Sequence, residues 1–243
     1  SNHTYNTSGN IYKVTNQLLY KIQNDPYSYQ DEIERNIEFQ IQNPIPNTPQ
    51  IYDKLYINHT FAGYSMEYIQ NAITFREAIG KEIDVKEKVN AIQNVYEAVK
   101  FIHSHHIFLG DIHADNFLMT TDDSGYLIDL DYMHFPGDEY KFQQSYLVKP
   151  NNQTNKINVA SAYTDNVKVM VSCLSLLLDR DLEKLISHQD HSLNLEELYQ
   201  KIILPLNNPE LNDYVCRLQR QENVEYFCDC SFFQNLLTNS KRV

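Results

Sequence analysis

Three oxygen-bearing side chains stand at intervals that let them meet: Asp111, Asn116 five residues on, and Asp129 thirteen residues beyond that. They belong to the stretch 103–131. It reads as an apolar approach, a polar loop, a short strand, a tight turn at Asp122-Asp123-Ser124-Gly125, and a second strand at Tyr126-Leu127-Ile128 that runs straight into Asp129. On one hairpin such groups can converge on a single point. A carboxylate there can orient a hydroxyl and accept its proton. Hard oxygen donors suit Mg²⁺, which takes few protein ligands and completes its shell with phosphate oxygens. The simpler reading of the same residues is a β-hairpin with a solvated acidic turn, since Asp-Asp-Ser-Gly is ordinary turn chemistry.

The loop Asp111…Asn116 followed by a strand-end Asp129 resembles the catalytic and metal-binding loops of the protein-kinase-like superfamily. The resemblance implies that Asp111 is the catalytic base, that Asn116 and Asp129 hold Mg²⁺, and that ATP is the phosphoryl donor. It extends over residues 11 to about 178. An alternating pattern over 11–23 with a Thr15-Asn16 turn predicts a β-hairpin. Lys21 lies in its second strand, where the family places the lysine that holds the α- and β-phosphates. Composition alone makes it a solvent-facing strand lysine. Ile33, Ile37 and Ile41 form a helical stripe in a helix expected over about 28–42, opened by Pro26 and Ser28 with Asp31 in a capping arrangement. This corresponds to the family's regulatory helix. Its lysine-pairing glutamate is Glu34 or Glu38, and the distance to the proline-rich break at 44–49 favours Glu38. Solvation of both is the alternative. Strands are expected over 51–57 and 62–69. The second ends in a segment similar to the kinase hinge, with Met66 as gatekeeper and the backbone of Glu67, Tyr68 and Ile69 as the adenine-binding strip.

A short amphipathic helix is expected over 70–80. Val85, Val89, Ile92, Val95, Val99 and Ile102 then mark a core-facing helix of about twenty residues. His103, His105 and His106 close it. They have no carboxylate or cysteine at ligand spacing, so a solvated helix end is expected rather than a metal site. Residues 129–151 are similar to an activation segment, in which Tyr132, Tyr140, Ser145 and Tyr146 offer hydroxyls. Thr164-Asp165 is expected to cap a buried helix at 167–178, where the family uses an aspartate to hold the catalytic-loop backbone. Residues 179–243 read as short helices.

The departures from the family pattern are specific. Only Gly9, beside Ser8, stands where a glycine-rich phosphate loop is expected. Leu109-Gly110 replaces His-Arg, which removes the arginine that reads a phosphorylated activation loop. His113 takes the place of a lysine, and Asp129-Leu130-Asp131 stands where Asp-Phe-Gly is usual. Gly-Asp-x-His and Asp-Leu-Asp are similar to aminoglycoside phosphotransferases.

The expected class is α+β: a two-lobed protein kinase fold with a small antiparallel β-rich N-lobe (1–69) bearing one helix, and a mainly helical C-lobe (70–243). The C-lobe holds the catalytic loop at 109–117, the metal-binding loop at 127–131 and the activation segment. The expected activity is ATP- and Mg²⁺-dependent transfer to a protein hydroxyl by a minimal bacterial-type Ser/Thr kinase, with a protein substrate as partner. A small-molecule kinase, or an inactive binding module, is the alternative. A net charge of −12 argues against nucleic acid or an anionic membrane as partner. At 42% hydrophobic residues the chain is globular, and no apolar run is long enough for a membrane span. The four cysteines show no disulfide framework, and Cys228-Asp229-Cys230 lacks a second pair at zinc spacing. A polar start shows no signal peptide, so a cytoplasmic setting is expected, in the producing cell or in a host to which the protein is delivered. The first residue is Ser1 rather than Met, which suggests a piece of a longer chain.

Overall fold

The computed structural model describes residues 9–24, 29–138, 146–187 and 191–240. Within them the chain is a mixed α+β structure, an antiparallel sheet followed by helices. Strands β1 (Gly9–Lys13), β2 (Leu18–Gln23), β3 (Ile51–Ile57) and β4 (Thr60–Glu67) form one sheet in the order β1-β2-β4-β3, every pair antiparallel. Helix α1 (Gln30–Gln42) runs between β2 and β3. Its Ile33 and Ile37 pack against Phe61 and Tyr64 of β4, with Ile41, Ile51, Met66 and Tyr132 at the margin. The expected isoleucine stripe is therefore the face that meets the sheet. The expected opening at Pro26 and Ser28 lies outside the described residues, and Tyr29, in a left-handed conformation, caps α1 without a side-chain bond.

A short link, β5 (Ile73–Thr74) and α2 (Phe75–Ala78), replaces the single helix expected over 70–80. Thr74 and Glu77 make a reciprocal capping box that starts α2. Helix α3 (Val85–Ser104) follows, started by the Asp84 side chain on the Lys86 amide. Its buried face carries Val89, Ile92, Val95, Val99 and Ile102 into the larger core. Strands β6 (Phe117–Met119) and β7 (Gly125–Leu127) form a three-stranded sheet with β5. This sheet lies on α3 so closely that a Cβ at Gly125 would stand 2.0 Å from the Ala91 carbonyl oxygen. Only glycine permits that approach.

Strand β8 (Leu147–Lys149) precedes α4 (Ala162–Leu177), whose thirteen buried residues make it the centre of the larger core. Ser161, not the expected Thr164-Asp165 pair, is its N-cap, and Thr164 closes the capping box. This start is five residues earlier than the apolar run suggests, because Thr164, Asp165 and Asn166 are buried through polar contacts rather than by hydrophobicity. Next come α5 (Leu182–Ile186), β9 (Ser192–Asn194), α6 (Leu195–Leu198), a π turn and a 3₁₀ turn to Leu206, α7 (Pro209–Gln219) and α8 (Ser231–Ser240). β9 pairs parallel with β8. Among the described residues no helix is long and apolar enough to cross a membrane.

Candidate functional site

Lys21 is the centre of the site. Lys21 lies in β2, between β1 and β4, and is 1% exposed. A buried ammonium needs counter-charge. Lys21 receives it from two carboxylates of the turn after β7: Nζ bonds Asp129 Oδ1 and lies 2.7 Å from Asp131 Oδ2. Burial alone would lower the Lys21 pKa. The Asp129 and Asp131 carboxylates outweigh it, and the ammonium is held well above its ordinary value. The solvent-facing alternative for this lysine is thereby ruled out.

The pairing also corrects one expectation. Glu38 does not reach Lys21. Glu34 and Glu38 both bind Lys54 of β3, at 3.0 and 2.8 Å, and Tyr56 donates to Glu34 at 2.5 Å. The reason is the helix's rotation. With Ile33 and Ile37 on the sheet, the neighbouring face that looks at the Asp129 turn carries Asn36 and Gln40. Asn36 Nδ2 donates to the carbonyls of Asp131 at 2.6 Å and Met133 at 3.0 Å, and Gln40 Nε2 to that of Leu130 at 3.5 Å.

Asp129 and Asp131 differ in what surrounds them. Asp129 has a left-handed backbone, φ 64°, which short polar residues tolerate best, and its side chain is 13% exposed. Asp131 is fully buried. Tyr64 donates to its Oδ1, and Gln23 Nε2 donates to Oδ2 at 3.3 Å beside Lys21. Both of its oxygens are occupied by protein donors. Tyr132 reports how tightly these charges are gathered. Burial, then the Asp131, Asp129 and Asp111 carboxylates, push its hydroxyl up to about 12 against the opposing pull of Lys21.

Asp111 sits in the loop before β6 with its side chain 29% exposed. His113 Nε2 lies 3.8 Å from Asp111 Oδ1, and His113 Nδ1 lies 3.4 Å from Asp115 Oδ2. Asn116 closes a 3₁₀ turn. Its Nδ2 donates to the Asp111 carbonyl at 2.8 Å, which leaves the amide oxygen for another partner, and its own carbonyl accepts the Ile128 N–H at 2.9 Å. That bond ties the loop to the strand that ends at Asp129. Asn116 and Asp129 thus offer hard oxygens from adjacent backbone positions. Such a pair fits a Mg²⁺ whose remaining ligands are phosphate oxygens and water. Among the described residues no group of three or more His, Cys, Asp or Glu side chains gathers as an all-protein metal cage.

The loop is held from beneath by groups the spacing did not reveal. Asp165 Oδ2 accepts the Leu109 amide at 2.7 Å, the contact the resemblance implied. It also accepts from His103 Nε2 at 2.9 Å, while Tyr226 donates its hydroxyl to His103 Nδ1 at 3.0 Å. His103 is therefore buried machinery, not part of a solvated helix end, whereas His105 and His106 are exposed. A helix-end histidine run gives no hint of this, because the partners are 62 and 123 residues away. Lys168 of α4 donates to the Gly110 carbonyl at 3.2 Å. Gly110 is closely hemmed in: a Cβ there would lie 2.6 Å from His134 Nε2 and 3.0 Å from the Tyr132 carbonyl oxygen. Arg76 of α2 bonds Asp115, Asp181 and the buried Glu183, and Glu183 in turn accepts the Ala114 amide at 2.8 Å.

Residues 66–69 run from the end of β4 out of the sheet. The Glu67 and Tyr68 amides are spent on the Gln50 and Gln17 carbonyls, at 2.8 and 3.0 Å. Met66 pairs with Leu19 and Ile51. A cavity of about 590 Å³ lies against this segment, walled by Gln17, Tyr52, Glu67, Tyr68, Asp122 and Tyr126 among others. None of Lys21, Asp111, Asn116 and Asp129 lines it. Ser8, Tyr140 and Ser145 lie outside the described residues. Gly9 opens β1, and the half-buried Tyr146 leads into β8. Cys173, Cys216, Cys228 and Cys230 are free thiols.

No family model matches the chain, and no curated protein matches it.

Proposed function

We propose that the chain is an ATP- and Mg²⁺-dependent phosphotransferase of the protein-kinase-like type, acting on a protein hydroxyl. The sheet with α1 would be its N-lobe and the residues from 70 onward its C-lobe. The observation that carries this reading is the buried Lys21–Asp129 ion pair, with Asp111 and Asn116 bonded into the adjoining loop. Lys21 would hold the α- and β-phosphates. Asp111, the more exposed carboxylate, would orient the acceptor hydroxyl and take its proton. Mg²⁺, held by Asn116 and Asp129, would neutralise charge on the transferring phosphoryl group. Adenine would meet the backbone beyond Glu67, where the Ile69 amide has no hydrogen-bond partner among the described residues. Because Gly110 leaves no arginine, the activation segment would need no phosphorylation to serve as the acceptor platform.

The test is incubation with labelled ATP and Mg²⁺, with generic protein acceptors and, separately, with aminoglycoside-type small molecules. Label is expected in protein, in the chain itself or in an acceptor, and it is expected to fall by ~10²–10⁴-fold in Asp111→Ala. In Asp129→Asn the Mg²⁺-dependent part of nucleotide binding is expected to be lost, while Asp111→Ala retains it. Turnover with a small acceptor and none with protein would reassign the substrate class. Full transfer by a folded Asp111→Ala protein would end the reading.

A further inference from the structure

Asp129 and Asp131 lie two residues apart and both reach Lys21, yet their surroundings give them different tasks. Asp129 is partly exposed and so keeps an open edge. Asp131 has none. Lys21 and Gln23 occupy Oδ2, Tyr64 occupies Oδ1, and its backbone carbonyl accepts from Asn36. A fully buried carboxylate with protein donors on both oxygens is a fixed counter-ion. Meanwhile the Glu34 and Glu38 carboxylates of α1 face the other way, onto Lys54.

We propose that Asp131 is the positioning residue for Lys21, supplying from the turn after β7 the carboxylate that a regulatory helix would otherwise provide, so that the site stands assembled whatever the charge state of α1. The proposal rests on the phosphotransferase reading for its consequence and on geometry alone for the pairing. When Asp129 turns to a metal, Lys21 keeps a counter-ion and stays extended toward the phosphates. Helix α1 gives Lys21 no carboxylate, and its Asn36 and Gln40 amides meet the turn instead. Asn36 clamps the turn's backbone, and that clamp does not titrate. A site built this way has no acidic helix contact whose breaking would switch it off.

Two measurements separate the outcomes. The first needs no nucleotide: mass-spectrometric rates of modification of Lys21 by an amine-directed acylating reagent. Lys21 is expected to react slowly in the wild type and in the Glu34→Gln/Glu38→Gln double variant, and at least ~10-fold faster in Asp131→Asn, because losing one of its two charged partners lets the side chain leave its buried pose and meet the reagent. Faster modification in the helix variant, with none in Asp131→Asn, would overturn the assignment. The second is Mg-ATP affinity. Asp131→Asn is expected to weaken it by ~10-fold or more, the helix double variant by less than twofold, and Asp131→Asn is expected to add nothing on a Lys21→Met background. A residue acting through Lys21 gives that non-additivity, whereas a general structural role gives additive losses. If Asp131→Asn does not fold, Tyr64→Phe keeps the buried ring and removes one donor from Asp131. It is expected to raise the Lys21 modification rate by a few-fold, and an unchanged rate would count against the proposal. A protein that binds no Mg-ATP at all would end the phosphotransferase reading, and the modification rates would still decide the pairing.

Discussion

At the scale of single residues, the costly groups are the buried charges, and Lys168 is the clearest case. It is 1% exposed in the middle of α4 and donates to the Gly110 carbonyl. Burial pushes its pKa down to about 8, with Asp165 and then Asp111 pulling it back up. His134 packs against Gly110 and is itself lowered, first by burial, with Lys168 adding to the effect. The sign of the linkage follows. Between pH ~8 and ~10.5 the unfolded chain holds a proton on Lys168 that the folded chain has released, so stability rises with pH across that window. Lys168→Met is therefore expected to be more stable than wild type at pH 7, by on the order of 2 kcal/mol. The gap should shrink as pH climbs toward 10. Paired urea titrations at pH 7 and 10 check this, and a gap that grows with pH would refute it. At this scale the sequence was legible where spacing along one hairpin carried the information, as for Asp111, Asn116 and Asp129. It was not legible for Asp131, Tyr64 and Lys168. Their partners come from other strands and helices, and a buried charge looks like any other charge in a composition. Glu38 was misassigned for the same reason. Counting from a proline break fixes a position along a helix but not the rotation that decides which face meets Lys21.

At the scale of elements, the tightest joint is β7 on α3. Gly125 has no space for a methyl group, since the obstructing atom is the Ala91 carbonyl of a helix rather than a flexible side chain. Gly125→Ala is expected to force the hairpin off the helix and lower stability by about 1–3 kcal/mol, read as a reduced urea midpoint. Nucleotide affinity should fall with it, because the same hairpin carries Asp129. A wild-type midpoint would mean that β7 is not seated on α3 as described. Apolar periodicity made α3 and the β6–β7 hairpin readable in advance, because both bury one continuous face. The start of α4 was less readable. Ser161 and Thr164 cap it through hydroxyls, and its first turn is buried by hydrogen bonds that hydropathy does not register. The β5–α2 link was read as one helix because Phe75 and Ala78 do keep helical spacing; the preceding two residues pair with β6 instead.

At the scale of the whole molecule, Arg76 joins parts of the chain that are far apart in sequence: Asp115 in the loop of Asp111, and Asp181 and Glu183 more than a hundred residues on. Glu183 is 1% exposed at its side chain, and burial raises its pKa above the ordinary 4.5 despite Ser172 and Arg76. Removing the arginine leaves that charge uncompensated. Arg76→Met is expected to cost about 3–5 kcal/mol at pH 7. The sign is again fixed by linkage. A carboxyl whose folded pKa is raised holds a proton that the unfolded chain has lost, so the penalty grows as pH rises through 4.5 and shrinks in acid. A deficit that deepens below pH 5 would refute the account. The chain from Tyr226 through His103 and Asp165 to the Leu109 amide works at the same range, and it has a consequence in time. Tyr226 is 123 positions beyond His103, so a ribosome adding ~5–20 residues per second delivers it roughly 6–25 s after the histidine. During that interval His103 has no phenol on its Nδ1, and the backbone leading into Asp111 lacks its outermost support. A nascent chain arrested before Tyr226 is thus a scaffold with an unfinished loop.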